Sequence, residues 1–435
     1  MIEYRKREEE EITMNQDQFQ GYLRHGLRFG KALLKWLIFG TLVGIVVGLV
    51  ASVFGHVLGF VNNLRGEYPM IRLGLPVGGL AIVFLYRFFK NHADKGTNTV
   101  IASLRADAEI PGRMAPLIFA GTTITHLFGG SAGREGAALQ IGGSLANKMG
   151  KLMKLDDHDS RTIIMCGMSA GFSALFGTPM AAAVFSMEVV RVGVMQYSGF
   201  VPCVISSMVA HFVAQFMKVP PEVFHLHGIP AITPFGFGQI LLFACVTALV
   251  SILFCVVLHE AEHLYEHAFK NPYIRIAMAG AFVVALSFIP GFEIYLGSGM
   301  GIIEDIFHHG ESVPWFAFLM KMVFTALTLG AGFKGGEIVP SFSIGAAFGC
   351  IAAGIFGLPL ELAAACGMVG VFCGVTNSPI TSLPIAFELF GYEAMPWFLT
   401  TVAVTYMLSG YHSLYREQRF AESKTETGGR GGIPV

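Results

Sequence analysis

Three groups of residues have the type and spacing to do chemistry. The first is Arg134 and Glu135, adjacent charges inside "GGSAGREGAALQIGGS" (Gly129 to Ser144), with glycines on either hand and long apolar runs before and after. The second is "GAGFKGGEIVP" (Gly330 to Pro340), another glycine-rich break that carries Lys334 and Glu337. The third is "HEAEH" (His259 to His263), which has the H-E-x-x-H spacing of a zinc-binding helix. With His267 it places three histidines at i, i+4 and i+8 on one helical face.

The elements that must hold these groups are unusual. Of 435 residues, 53% are hydrophobic and 14% charged, against about a quarter charged in soluble domains. Five stretches lack Lys, Arg, Asp and Glu over the length a bilayer-spanning helix needs: Trp36 to Val61, Gly199 to Met217, Gly236 to Leu258, Ile338 to Leu360 and Leu362 to Phe387. The pattern is that of an all-α polytopic membrane protein whose partner is the lipid bilayer. Glycine and proline interrupt the apolar runs, and broken helices at membrane depth survive only where protein or a water-filled cavity satisfies their backbone. Such breaks point to a transport path. A net charge of −1 gives no reason to expect nucleic acid. The seven cysteines lie in apolar segments without a C-x-x-C pair and read as small buried hydrophobes.

Setting residue n against n + 200 aligns Gly130 with Gly330, Arg134 with Lys334, Gly136 with Gly336, Gly167-Met168 with Gly367-Met368, Phe172 with Phe372, Pro179 with Pro379 and Glu188 with Glu388. The chain therefore reads as a repeat: a polar N-terminal tail over 1–30, a first transmembrane repeat over 31–219, a linker and start of the second half over 220–275, a second repeat over 276–415 and a C-terminal tail over 416–435. Arg24, Arg28, Lys31 and Lys35 precede the first span, so the positive-inside rule places the N-terminus in the cytoplasm. In this ungapped register Glu337 falls in the slot of Ala137, so Glu135 has no twin.

A helix that begins within the membrane exposes free N–H groups and the positive end of its dipole, and preceding glycines let a ligand approach. "GSAGREG" and "GAGFKGG" thus read as two anion cradles, one from each half, as expected where repeats meet at a transport site. Neighbouring residues on a helix do not face each other, so an Arg134–Glu135 pair is expected to be poor. A carboxylate at the mouth of a cradle mimics the anion when ionised and vacates the place when protonated, which makes Glu135 a candidate gate and proton carrier. Glu188 and Glu388, near helix ends, read as structural.

Together these residues resemble the CLC family of chloride channels and anion/proton exchangers. Its G-[RK]-E-G-P motif appears as Gly133-Arg134-Glu135-Gly136-Ala137, its G-x-F-x-P region as "GFKGGEIVP" and its G-T-P turn as Gly177-Thr178-Pro179. The resemblance implies two inverted-repeat halves of short, tilted, broken helices, a homodimer, and a pore in each subunit. It implies Glu135 as the gating glutamate. It implies anion binding by Gly133, Arg134 and Gly136 at one helix start, by Glu337, Ile338 and Val339 at the facing one, and by the hydroxyls of Thr97 and Tyr415. The second acid that proton-coupled chloride exchangers carry is replaced here by Val189, and "GGEIVP" with "GVTNSPI" is closer to the bacterial fluoride-handling branch. That branch has Met where Thr97 stands and Thr where Val339 stands. The resemblance implies halide transport, with fluoride/proton antiport ahead of a chloride channel or chloride/proton antiporter, in a bacterial inner membrane and without cofactor, metal or catalytic residues. Glu337 is open to two readings, a second protonatable group or a cap on its helix. The histidine motif leaves an intramembrane metalloprotease as a distant alternative.

Overall fold

The computed structural model describes residues 2–91, 95–105, 110–310, 312–421, 423 and 424, with side chains from residue 21 onward except residue 23. Among these residues the chain forms sixteen α-helices and almost no sheet. The first eight are α1 (Ile2–Glu67), α2 (Leu75–Phe88), α3 (Thr97–Leu104), α4 (Met114–Leu127), α5 (Glu135–Leu152), α6 (Asp157–Phe176), α7 (Pro179–Glu188) and α8 (Phe200–Phe216). The second eight are α9 (Pro234–Ala268), α10 (Pro272–Ser287), α11 (Met300–His309), α12 (Ala317–Gly330), α13 (Ile338–Phe356), α14 (Leu360–Thr376), α15 (Pro379–Phe390) and α16 (Met395–Leu408). The halves match helix for helix as inverted repeats. Five stretches, the first running from Arg24 to Glu67, are long and apolar enough to cross a membrane, and the shorter apolar helices pack between them. On α9, Phe235, Leu242, Leu249, Leu253 and Val256 stay exposed along one stripe, the surface that lipid covers in an integral membrane protein.

Helices α5 and α6 cross so closely that glycine is required. A Cβ on Gly142 would lie 2.0 Å from the Gly167 carbonyl oxygen, and one on Gly345 would lie 2.3 Å from that of Gly367, the same crossing between α13 and α14. Small residues of this kind let membrane helices approach backbone to backbone. These pairs also show that the repeat register slips. Gly167 and Gly367 are 200 apart, but their partners Gly142 and Gly345 are 203 apart, because α6 carries three more residues than α14. The ungapped alignment is therefore right for α6, α7, α14 and α15 and three residues out at the glycine-rich breaks.

Helices α6 and α14 both end on a left-handed residue, Gly177 (φ 78°) and Asn377 (φ 53°), before a proline starts the next helix. Asn is among the few non-glycine residues that adopt this conformation readily. The helix starts so formed are capped across the repeat. Glu388 of α15 accepts from the Met180 and Ala181 N–H groups at 2.8 and 2.9 Å. Glu188 of α7 accepts from the Ile380 and Thr381 N–H groups at 3.0 and 2.7 Å and from the Thr381 hydroxyl at 2.6 Å. Each half thus supplies the anion that the other half's helix start attracts. Glu188→Ala strands buried donors and is expected to cost about 2 kcal/mol, against less for the more accessible Glu388→Ala, read as ordered losses in detergent melting temperature.

Two readings of the termini change. Residues of the expected N-terminal tail enter α1, which runs unbroken from Ile2; a run rich in Glu, Lys and Arg has good helix propensity. In the expected C-terminal tail, Arg419–Phe420 pairs in parallel with Arg191–Val192 of the first half. Residues 425–435 lie outside the described residues. The seven cysteines are free, six of them buried.

Candidate anion site

The two glycine-rich breaks meet. Gly133 and Gly336 form an isolated antiparallel bridge, Gly133 N–H to Gly336 O at 2.7 Å and Gly336 N–H to Gly133 O at 2.8 Å. Glycine is needed at the crossing: a Cβ on Gly336 would sit 2.6 Å from the Gly136 nitrogen, and one on Gly136 would sit 2.9 Å from Gly336 Cα. The bridge brings the starts of α5 and α13 side by side, and first-turn N–H groups have no partner within their own helix. Ile338 and Val339 open α13 and are buried, Val339 with its apolar side chain.

Glu135, 1% exposed, folds back onto its own helix start. Its Oε2 accepts from the Arg134 N–H at 3.1 Å and its Oε1 from Arg134 Nε at 3.3 Å. The expectation of a poor Arg134–Glu135 pair therefore fails. Arg134 is the N-cap (φ −112°, ψ −22°), its side chain is free of the helical spacing that separates neighbours, and the two charges meet. The same guanidinium donates through Nη2 to Glu222 Oε1 at 2.6 Å. Glu222, on the segment joining α8 to α9, had no signal in the sequence because its partner is 88 residues away. Burial pushes its carboxyl up from the ordinary range, and Arg134 opposes this.

The remaining candidates gather around the bridge. A Cβ on Gly136 would lie 3.1 Å from Glu337 Oε2 and 3.4 Å from Thr97 Oγ1, so both side chains border the α5 start. Glu337 is the N-cap residue of α13 but makes no side-chain cap, which removes the capping reading, and its Oε2 is buried without a hydrogen-bond partner. In the slipped register it matches Arg134, one residue from Glu135's twin, instead of Ala137. Thr97 begins α3 after Gly96 (φ 64°), and its Oγ1 accepts from Gln140 Nε2 at 3.2 Å, which leaves the hydroxyl proton to donate elsewhere. Gln140, five residues beyond Glu135, was missed because nothing in its spacing names Thr97. The Tyr415 hydroxyl is buried and unpartnered, and Glu337 is close enough to act on it electrostatically.

A cavity of about 1120 Å³ leads to this place; Thr97, Gln140 and Glu337 line it. Four polar atoms of its lining residues, Asn91 Nδ2, Gln140 Oε1, Arg275 Nε and Glu337 Oε2, are buried without a partner in the chain. His259, Glu262 and Arg416 also line it. The H-E-x-x-H segment thus belongs to the cavity wall: Arg416 holds Glu262 at 3.0 Å and reaches His263 at 3.5 Å, and no three metal-ligating side chains converge among the described residues.

Two broken helices meeting at a carboxylate narrow the choice of family, and comparison decides it. The family model described as voltage gated chloride channel matches residues 77–410. The chain belongs to that family, the CLC anion transporters. A chloride/fluoride channel protein from Pseudomonas syringae pv. tomato is 35% identical over 367 residues, covering 83% of this CLC chain and 81% of the relative. A solved CLC-type fluoride/proton antiporter superposes with a TM-score of 0.86 at 32% identity, covering 89% of this chain and 98% of that one. A slow cyanobacterial Cl⁻/H⁺ antiporter shares the fold, with a TM-score of 0.75 at 17% identity. This CLC protein is an integral membrane protein that carries anions.

Proposed function

We propose that this CLC protein exchanges fluoride for protons, with Glu135 as gate. The observation that carries the reading is the Glu135 carboxylate lying on the α5 amide start, where an anion would be held. Ionised, Glu135 competes with the anion for the same N–H groups; protonated, it yields them. Thr97 and Tyr415 supply hydroxyl donors, and Ile338 and Val339 supply amides from the other half, as a small, strongly hydrated anion needs to replace its water. Gly133 and Gly136 let the anion approach, and Arg134 holds the ionised gate. Glu337, with a free carboxyl oxygen beside the α5 start, is the second protonatable group. The chloride/fluoride channel protein and the fluoride/proton antiporter that this chain resembles support fluoride. Chloride is the second reading, favoured by the buried apolar side chain of Val339 against the site.

Fluoride efflux from proteoliposomes, followed with ion-selective electrodes and a pH electrode, tests this. The expected result is fluoride efflux that drives protons inward, with chloride at least about tenfold slower. Faster chloride efflux would transfer the reading to chloride, and efflux of either ion without proton movement would make the protein a channel. The protein is further proposed to sit as a homodimer in a bacterial inner membrane with its N-terminus in the cytoplasm. Mass measurement in detergent and protease protection of an N-terminal tag check those two points.

A further inference from the structure

Behind the loop that leads into Glu135 lies a buried lysine that the gating scheme does not use. Lys321, in the apolar helix α12, is 0% exposed. Its ammonium donates to Gly297 O at 2.8 Å, Ser131 Oγ at 2.9 Å and Tyr295 O at 3.1 Å. An ammonium has three donors, and all three are used. No carboxylate among the described residues pairs with it. A buried charge without an opposite charge is costly, so the oxygens around it must replace water. Two carbonyls and a hydroxyl converging on one positive centre make the oxygen shell that a small hard cation takes. A fourth oxygen is at hand. Ser343 Oγ is buried and unpartnered, and a Cβ on Gly299 (φ 90°) would lie 2.4 Å from it and 2.7 Å from Lys321 Cε.

We infer that this is a monovalent-cation site filled by the chain's own ammonium, serving as a fixed counter-charge for the anion path. It joins both halves: Ser131 belongs to the first, while Lys321, Tyr295, Gly297 and Ser343 belong to the second. Ser131 is held on its other sides by Thr328 Oγ1, which accepts its N–H at 3.1 Å, and by the Thr325 hydroxyl at 3.0 Å. The ammonium therefore fixes the loop four residues ahead of Glu135. Arg65 adds to the charge: it donates to His126 O at 2.5 Å and has no carboxylate partner among the described residues. His126 in turn contacts Gly133 O at 3.4 Å. In a low-dielectric interior a unit charge acts well beyond contact distance, so this cluster lowers the cost of an anion at the cradle without touching it.

The counter-charge part rests on the anion-transport reading; the cation site does not. Two variants of the full-length protein separate them. Lys321→Ala empties the site and leaves its oxygens, while Lys321→Met keeps most of the volume and removes the charge. Melting temperatures are measured in detergent with sodium, potassium, methylammonium or N-methylglucamine as the cation of one common salt. Wild type is expected to melt alike in all four. Lys321→Ala is expected to melt higher in sodium or methylammonium than in N-methylglucamine, with a saturable dose response, and Lys321→Met to show no response. A Lys321→Ala protein indifferent to the cation, or one that folds in none while Lys321→Met folds, overturns the site. Anion affinity by calorimetry is expected to fall about tenfold in Lys321→Met. Unchanged affinity in that variant overturns the counter-charge role, whereas failure of wild type to bind any halide would sink the transport reading and leave the cation result standing.

Discussion

Glu135→Gln is expected to lose most of its proton coupling. Gln keeps the length and shape of the side chain, so the helix start is still covered by an amide oxygen, but no proton can be taken up and carried. Proton flux driven by a halide gradient is expected to fall on the order of 100-fold, the lower end of what a positioned proton-transfer group contributes. The sign of the pH response follows from the competition at the α5 amides. If Glu135 is the gate as proposed, lowering pH protonates it and frees the amides, and wild-type anion flux is expected to rise as pH falls. In Glu135→Gln that dependence flattens. Parallel halide and pH electrode traces between about pH 5 and 8, where carboxylates tuned for proton transfer titrate, decide the matter. Proton flux that survives in the variant would remove Glu135 from the carrier role and turn attention to Glu337.

Gly336→Ala is expected to break the site without removing a functional group. Its Cβ would press 2.6 Å from the Gly136 nitrogen and 2.9 Å from Gly136 Cα, both backbone atoms that cannot rotate away. The pair of hydrogen bonds between Gly133 and Gly336 must open, and the two helix starts separate. Overpacking of this kind costs about 1 to 3 kcal/mol. If the bridge sets the spacing of the proposed anion donors, halide flux is expected to drop further than stability, by about tenfold or more. Gly301→Ala is the control: nothing lies within 4 Å of its added Cβ, so folding and flux stay as in wild type. Equal flux in the two variants would show that the bridge does not set the donor geometry.

What sequence could show here was decided by chain distance. The spans, the broken helices and the halves were legible because hydropathy and glycine breaks are local signals, and Pro179, Pro379, Glu188 and Glu388 carry the repeat in one register. The breaks themselves were misaligned, since three residues of α6 without counterpart in α14 leave no local trace that an ungapped comparison detects. Arg134 was judged as a helical residue when it is the residue before the helix. Glu222, Gln140 and Lys321 gave no signal because each acts on a partner brought close only by folding: Arg134 across 88 residues, Thr97 across 43 and Ser131 across 190. The pairing of Arg419–Phe420 with Arg191–Val192 is of the same kind.

The crossed caps of α7 and α15 place the gate in a wider frame. Of the helix starts of α5, α7, α13 and α15, the chain answers three with glutamates: Glu388, Glu188 and Glu135. The first two reach across from the opposite half and are pinned by two donors or more, so their residence time is that of the folded protein. Glu135 comes from the very helix it covers and leans on a neighbouring N–H and an arginine, so in the proposed scheme its release requires only a side-chain rotation. Permanent and transient occupancy are one interaction separated by the length of the tether. By that measure a gate needs no machinery of its own, only a cap loose enough to be exchanged for the passing ion.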